Sequence, residues 1–158
     1  MSRTLALAAL LLAASPARAQ APAAAAPAPK LPTFTEVTAR AGITWERSFG
    51  DRDLSNIVEG TGSGACVFDY DGDGKLDVYF PNGRWERTVN DNRGRDLIGK
   101  LENALYRNKG DFTFENLTGK AGVPGKGFAF GCTAADLDDD GDLDLYVLGY
   151  GANELLRN

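Results

Sequence analysis

The sequence contains no histidine, which is the commonest general base and transition-metal ligand in proteins. Catalysis by a serine–histidine or cysteine–histidine pair is therefore excluded within this chain. Basic residues are also few, because 17 lysines and arginines stand against 22 aspartates and glutamates, a formal charge of -5. A chain with this balance lacks the basic stripe that replaces the counterions of a nucleic acid, so we expect no nucleic-acid partner.

Long hydrophobic runs are missing as well. The apolar run from Leu5 to Ala14 is well short of the roughly 20 residues that cross a bilayer, and no later segment qualifies, so no transmembrane segment is expected. Arg3 before this run and Ala17 to Ala19 after it are typical of a cleaved export signal, which predicts a periplasmic or extracellular protein. The expected organisation is a signal peptide at 1–19, a Pro/Ala-rich linker at 20–32 and a folded region at 33–158.

Cysteine is scarce, and Cys66 and Cys132 are the only two. A pair of cysteines in an exported protein can form a disulfide. The places of these two in the repeat described below differ by one residue, however, and on strands this points their side chains to opposite faces. Two buried thiols are therefore favoured over a bridge, which is the alternative.

What the chain does contain is an internal repeat of three segments. Segment A is "FTEVTARAGI" and then "FENLTGKAGV", segment B is "GACVFDYDGDGKLDVYF" and then "GCTAADLDDDGDLDLYV", and segment C is "NALYRN" and then "NELLRN". Segment A occupies 34–43 and 114–123, segment B 64–80 and 131–147, and segment C 103–108 and 153–158. The chain thus uses one supersecondary unit twice.

Short runs of β-branched, aromatic and small apolar residues, bounded by Gly and Asp, predict strands. The predicted strands are 34–38, 65–68, 77–80, 104–107, 112–117, 133–135 and 144–148. No segment after the signal sustains a helical apolar period, so an all-β fold is expected. The stretch from Pro81 to Leu101 interrupts the repeat with charges and turn residues, and we expect a long exposed loop there. Its candidate contact residues for a partner are Arg84, Trp85, Arg87, Arg93 and Arg95.

Each B segment contains an acidic loop of the form D-x-D-x-D-G-x-x-D. Side chains at positions one, three and five of a curling loop converge, the glycine permits the sharp turn, and the last aspartate closes the shell. Oxygen donors without histidine or thiolate select a hard cation, and several carboxylates on a flexible loop favour Ca²⁺ over Mg²⁺. The predicted ligands are Asp69, Asp71, Asp73 and Asp77 with the carbonyl of Lys75, and Asp136, Asp138, Asp140 and Asp144 with the carbonyl of Asp142.

These loops are not EF-hands. An EF-hand needs an acidic residue at position twelve and a helix on either side. Position twelve is Phe80 in the first loop and Val147 in the second, and both belong to predicted strands. The sequence therefore predicts a cation that joins two adjacent strands.

The quoted segments, together with the Phe130-Gly131 pair, resemble the FG-GAP/VCBS-type repeats of the cartilage acidic protein-like family, which often carries an ASPIC/UnbV segment. The resemblance implies a β-propeller of four-stranded blades with Ca²⁺ bound in a loop of each blade. "GDFTF" at 110–114 departs from the Gly-Asp-Gly-Thr-Phe that is usual in the family. Since a closed propeller needs at least four blades, and this chain holds about two, we expect a truncated, partial propeller whose open edge is available for self-association.

The function expected from these observations is that of a secreted, non-catalytic calcium-binding repeat module for adhesion, or for interaction with a protein or a glycan. No catalytic residue is predicted. The alternative is an accessory or scaffold domain of an extracellular carbohydrate-active enzyme, such as a polysaccharide lyase on a propeller scaffold.

Overall fold

The computed structural model describes residues 31–158, so the expected signal peptide and nearly all of the expected linker lie outside the described residues. The elements below all belong to one unit, Thr35–Asn158. Its strands are β1 Cys66–Phe68, β2 Asp77–Phe80, β3 Ala104–Gly110, β4 Thr113–Asn116, β5 Ala129–Ala135, β6 Asp144–Gly149 and β7 Glu154–Leu156. The prediction of an all-β fold is confirmed, apart from α1 Thr38–Ala41, α2 Thr118–Ala121 and single 3₁₀ turns at Glu59–Thr61 and Arg95–Leu97. Over residues 31–158, none of the helices is both long enough and apolar enough to span a bilayer.

The strands form two antiparallel sheets, one in the order β1-β2-β3-β4 and one in the order β5-β6-β7. In the first sheet, β1 and β2 come from the first copy of segment B, β3 from segment C, and β4 from the second copy of segment A. The structural unit therefore begins with segment B and is completed by the next segment A. In the second sheet, β5, β6 and β7 are the counterparts of β1, β2 and β3.

The strand predicted at 34–38 is wrong, because residues 34–37 form no strand and Thr38 begins α1. The counterpart of this segment in the second A copy is a strand because it pairs with β3. No strand of the described chain pairs with residues 34–37 in this way. The helices α1 and α2 do repeat, and each ends at a glycine in the left-handed region, Gly42 (φ 78°) or Gly122 (φ 70°).

The apolar core lies between the two sheets. On the first sheet Tyr79 lies opposite Cys66 of β1 and Leu105 of β3, so these three side chains share one face. Leu145 and Val147 of β6 pack against that face from the second sheet. Tyr79 is completely buried, and its hydroxyl donates to the carbonyl of Val123 at 3.1 Å and accepts from Asn103 Nδ2 at 2.8 Å. Burial raises the pKa of Tyr79 to about 12.

Cys66 and Cys132 form a disulfide with their Cα atoms 5.8 Å apart, so the favoured expectation of two free thiols is wrong. The repeat counterpart of Cys66 is Thr133, which is exposed and lies on the face of β5 opposite to Cys132. The two cysteines therefore do occupy opposite faces of the repeated unit, as predicted. Two copies of a sheet that stack on one another meet through opposite faces, however, and the one-residue offset brings both sulfurs into the shared interface.

Residues 81–101 pack against the segment that precedes β1, so the expectation of a wholly exposed loop is only partly right. Asn82 is buried, and its side chain accepts the N–H of Ser48 at 2.8 Å and donates to the carbonyls of Glu46 and Glu102, both at 3.2 Å. An amide with every polar atom bonded can be buried without a large desolvation cost. Buried polar residues thus hold residues 81–101, the insertion, against the rest of the chain. The charge pattern had indicated only an exposed surface.

Glu59, in the segment that precedes β1, is a second buried polar residue at the contact with residues 81–101 and is 1% exposed. Its carboxylate accepts the N–H groups of Ser55 and Asn56 and the side-chain amide of Asn90, the last at 2.7 Å. Burial acts to raise the pKa of Glu59, but these hydrogen bonds outweigh burial and the pKa is lowered. The carboxylate is therefore charged and fully bonded in the folded protein.

Most of the predicted contact residues of the insertion are engaged within the chain. Arg84 donates to the carbonyl of Gly125 at 2.7 Å, and Trp85 donates to the carbonyl of Asp91 at 2.8 Å. Arg93 pairs with Asp53 at 2.8 Å. The exposed side chains of Arg87 and Arg95 complete the predicted set.

Candidate metal centre

The two acidic loops both join antiparallel strands, as predicted. Loop 1, residues 69–77, connects β1 to β2, and loop 2, residues 136–144, connects β5 to β6. In each loop, carboxylate oxygens of three aspartates lie within 4.8 Å of one another. The three are Asp69, Asp71 and Asp77 in loop 1, and Asp136, Asp138 and Asp140 in loop 2.

The first aspartate of each loop shapes the turn. The carboxylate of Asp69 accepts the N–H of Asp73 at 3.1 Å and that of Gly74 at 2.8 Å. Gly74 has a φ of 81°, a conformation that glycine adopts without strain, which confirms the predicted role of this position. Loop 2 repeats the arrangement with Asp136, Asp140 and Gly141, at 3.2 and 3.0 Å and with a glycine φ of 100°.

The last aspartate ties each loop to the following copy of segment C. Asp77 is fully buried, and its carboxylate accepts the N–H of Tyr70 at 3.0 Å and that of Asn108, on β3, at 2.7 Å. Burial raises the pKa of Asp77, and the two hydrogen bonds only partly oppose this effect. In loop 2 the same bonds reach Asp144 from Leu137 at 3.1 Å and from Asn158 at 3.0 Å.

An arginine from segment C lies on each loop, and the sequence reasoning missed both. Arg107 Nη2 lies 2.7 Å from Asp71 Oδ2 and 3.3 Å from Asp73 Oδ2. Arg157 Nη2 lies 2.6 and 3.0 Å from the corresponding oxygens of loop 2, on Asp138 and Asp140. The shared "RN" in "NALYRN" and "NELLRN" was the available signal, because it places one arginine at the same position in both copies of segment C.

Position seven is where the two loops differ most. In loop 1 it is Lys75, whose ammonium lies 2.8 Å from Asp73 Oδ2 and whose N–H donates to Asp73 Oδ1 at 2.9 Å. The hydrogen bond from the Lys75 side chain is the main cause of the lowered pKa of Asp73. In loop 2 position seven is Asp142, whose N–H donates to Asp140 at 3.1 Å. A coordinating role for the carbonyls of Lys75 and Asp142 stays a prediction.

The donor set of each loop fits a hard cation. The converging groups are carboxylate oxygens, the ligand type that Ca²⁺ and Mg²⁺ prefer. The loops differ in total charge, since loop 1 contains four aspartates and one lysine while loop 2 contains six aspartates and no lysine. Ca²⁺ tolerates the irregular geometry of a flexible loop better than Mg²⁺, so it is the better fit to both.

A comparison with known protein families identifies part of this architecture. Residues 87–147 match the family model of the FG-GAP-like repeat. The FG-GAP-like repeat thus covers β3, β4, α2, β5 and the whole of loop 2. Loop 1 precedes the matched residues and is related to loop 2 through the internal repeat. This match supports the FG-GAP part of the resemblance and an extracellular type of repeat module. No curated protein sequence matches the chain significantly.

Proposed function

We propose that this chain is an exported, non-catalytic repeat module whose two acidic loops bind Ca²⁺ and thereby clamp adjacent strands. The observation that carries the proposal is the convergence of three carboxylates within 4.8 Å in each of two loops that occupy the same place in the repeat. In a solvated acidic turn the carboxylates repel one another, so their convergence on one point is not expected without a cation. Loop 2 repeats the hydrogen bonds to the first and last aspartates and the pairing with an arginine, which supports a common purpose for the two loops.

The electrostatic cost of the convergence indicates the value of a cation. Two carboxylates 4.8 Å apart repel by about 0.9 kcal/mol in bulk water and about 3.5 kcal/mol at an effective dielectric constant near 20. Three such pairs in each loop amount to about 3 to 10 kcal/mol, which the arginine and, in loop 1, the lysine only partly offset. A bound divalent cation would neutralise the remaining charge.

Isothermal titration calorimetry of the full chain with Ca²⁺ tests the proposal. We expect two Ca²⁺ ions per chain, and one ion after Asp69→Asn with Asp71→Asn removes the carboxylates of loop 1. Asp111→Asn is the matched control, because Asp111 is an exposed aspartate of the β3–β4 turn outside both loops, and this variant should still bind two. Absence of binding heat, or stoichiometry that ignores the loop 1 substitutions, contradicts the proposal.

The export part of the proposal rests on three features. The expected signal peptide, the Cys66–Cys132 disulfide and the FG-GAP match are each typical of proteins that function in an oxidising compartment outside the cytoplasm. We further propose that the two sheets are blades of a β-propeller of the cartilage acidic protein-like, ASPIC/UnbV-associated type. Alkylation of the protein isolated from its native compartment should leave both cysteines unmodified until a reductant is added.

We also propose that the module acts by binding a protein or a glycan, as in adhesion. Arg87 and Arg95 support this proposal, because both are exposed. Arg84 and Trp85 are bonded within the chain, and Arg93, although 70% exposed, pairs with Asp53. Immobilised glycans and released sugar products can be measured in the same incubation. Binding without release of products supports an interaction module, and calcium-dependent release of products favours the alternative of a carbohydrate-active enzyme domain.

Self-association remains a proposal of the same kind. In the second sheet, β7 pairs with β6 alone among the described strands, and Leu155 on β7 is 60% exposed. An edge strand with an exposed apolar side chain favours pairing with a further strand. Sedimentation velocity should therefore detect concentration-dependent association that Leu155→Lys weakens, and a monomer at all concentrations contradicts the idea.

A further inference from the structure

Loop 1 and loop 2 share a fold but differ in how many side-chain cations already lie on their carboxylates. In loop 1, Asp73 Oδ2 contacts the ammonium of Lys75 at 2.8 Å and the guanidinium of Arg107 at 3.3 Å, and Arg107 also reaches Asp71 at 2.7 Å. These contacts involve the aspartates at positions three and five, which are predicted calcium ligands. Two positive charges of the chain therefore compete for the oxygens of loop 1.

In loop 2 the competition is weaker. Arg157 is the counterpart of Arg107, and its guanidinium lies on Asp138 and Asp140. The position of Lys75 is taken by Asp142, which adds a negative charge instead of a positive one. A sixth aspartate, Asp139, follows Asp138 and adds another.

Solvent exposure separates the two arginine pairs further. The side chain of Arg107 is 39% exposed, and those of its partners Asp71 and Asp73 are 21% and 22% exposed. The side chain of Arg157 is 69% exposed, and those of Asp138 and Asp140 are both 36% exposed. Because water screens exposed charges more strongly, the guanidinium of Arg107 is the more effective internal counterion.

We propose that the two loops are unequal calcium sites, with loop 2 the tighter and first to fill, and that Lys75 and Arg107 set the weaker affinity of loop 1. This inference rests on the proposed function, because it ranks two sites that the proposed function assumes to bind Ca²⁺. Removing one positive charge about 5 Å from a divalent ion changes its affinity by about tenfold under water-like screening. Each of the two side chains should therefore change the affinity of loop 1 by about tenfold.

Full-length variants that each retain one intact loop allow the Ca²⁺ affinities of the two loops to be compared by calorimetry. The double variant Asp136→Asn with Asp138→Asn disables loop 2 and leaves loop 1 as the intact site. The double variant Asp69→Asn with Asp71→Asn disables loop 1 and leaves loop 2 as the intact site. We expect loop 2 to bind Ca²⁺ with a Kd at least tenfold lower than that of loop 1.

Single substitutions then test the cause of the difference. In the chain that retains loop 1, Lys75→Gln or Arg107→Gln should lower the Kd about tenfold. In the chain that retains loop 2, Asp142→Lys changes the charge by two units and should raise the Kd about a hundredfold. Lys120→Gln is the matched control for charge, because the ammonium of Lys120 pairs with Glu115 outside the loops, and it should change the Kd less than twofold.

The outcomes separate the inference from the proposed function. Absence of binding in both isolated loops overturns the proposed function, and the inference with it. Binding with equal Kd values overturns the inference alone. A higher Kd after Arg107→Gln also overturns it, because the arginine would then be holding the carboxylates in place rather than competing for them.

Discussion

The disulfide between Cys66 and Cys132 supports the sharpest prediction about stability. It joins β1 of the first sheet to β5 of the second across a sequence separation of 66 residues. Cross-linking a chain segment of this length removes a large part of the conformational freedom of the unfolded state. The loop-entropy relation gives about 4.4 kcal/mol at 25 °C for a closed loop of roughly 67 residues. This is a large fraction of the 5–15 kcal/mol that is typical of a folded domain.

The perturbation is Cys66→Ala together with Cys132→Ala, and the assay is equilibrium unfolding in urea followed by tryptophan fluorescence. With an m value of about 1.5–2 kcal/mol per molar urea, a loss of about 4 kcal/mol lowers the midpoint by about 2–3 M. Unmodified protein treated with a thiol reductant should show a similar loss. Val67→Ala is the matched control, because Val67 neighbours Cys66 on the same strand and is 59% exposed, and it should move the midpoint far less.

The single substitutions provide the decisive check. Each of Cys66→Ala and Cys132→Ala alone breaks the same bond, so each should cost nearly as much as the double substitution. Losses that simply add would show that the two sulfurs stabilise the core separately by packing. Midpoints of the oxidised and reduced protein that agree within about 0.3 M would refute the reasoning.

Three further predictions concern single side chains. Phe112 is 70% exposed and has a φ of 55°, so Phe112→Gly should raise the free energy of unfolding by about 0.5–1 kcal/mol in a urea titration, with an unchanged value contradicting the strain. Because the pKa of Tyr79 is raised to about 12, its contribution to stability is complete below pH 10 and is lost between about pH 10 and 12. This loss, about 3 kcal/mol, should be absent from the stability profile of Tyr79→Phe. The lowered pKa of Glu59 contributes stability that is present above its unfolded pKa and lost as the pH falls, so Glu59→Gln should flatten the acid limb of that profile, and an unchanged limb argues against the hydrogen-bonded carboxylate.

Local sequence patterns predicted the acidic loops and most of the strands. β2 has the predicted bounds, Asp77–Phe80, because a short run of β-branched and aromatic residues follows an aspartate that ends a glycine-rich turn. The two copies of segment B confirmed one another, since a pattern that recurs with its aspartates in register is rarely accidental. The positive φ of Gly74 followed from the same motif. Structural features that depend on short, local segments could thus be predicted from the sequence.

The features that were missed depend on residues far apart in the chain. The alternation of side chains along a strand placed Cys66 and Cys132 on opposite faces, but this alternation does not specify which faces of two sheets pack together. Arg107 lies 34 positions from its partner Asp73, so the charge pattern of loop 1 did not include it. The segment at 34–38 has the composition of a strand, but a strand also requires a neighbour to pair with. The burial of Asn82 depends on hydrogen bonds to two distant segments.

The stability of the protein with and without calcium tests the central claim most directly. Urea unfolding in 1 mM Ca²⁺ is compared with unfolding in excess chelator, with Mg²⁺ at the same concentration as the control for ionic strength. If two sites bind with dissociation constants near 10 μM, Ca²⁺ should raise the free energy of unfolding by about 5 kcal/mol, from about 2.7 kcal/mol per site. Superimposable curves in Ca²⁺ and in chelator would contradict the account, because the convergent carboxylates would then be stable without the ion.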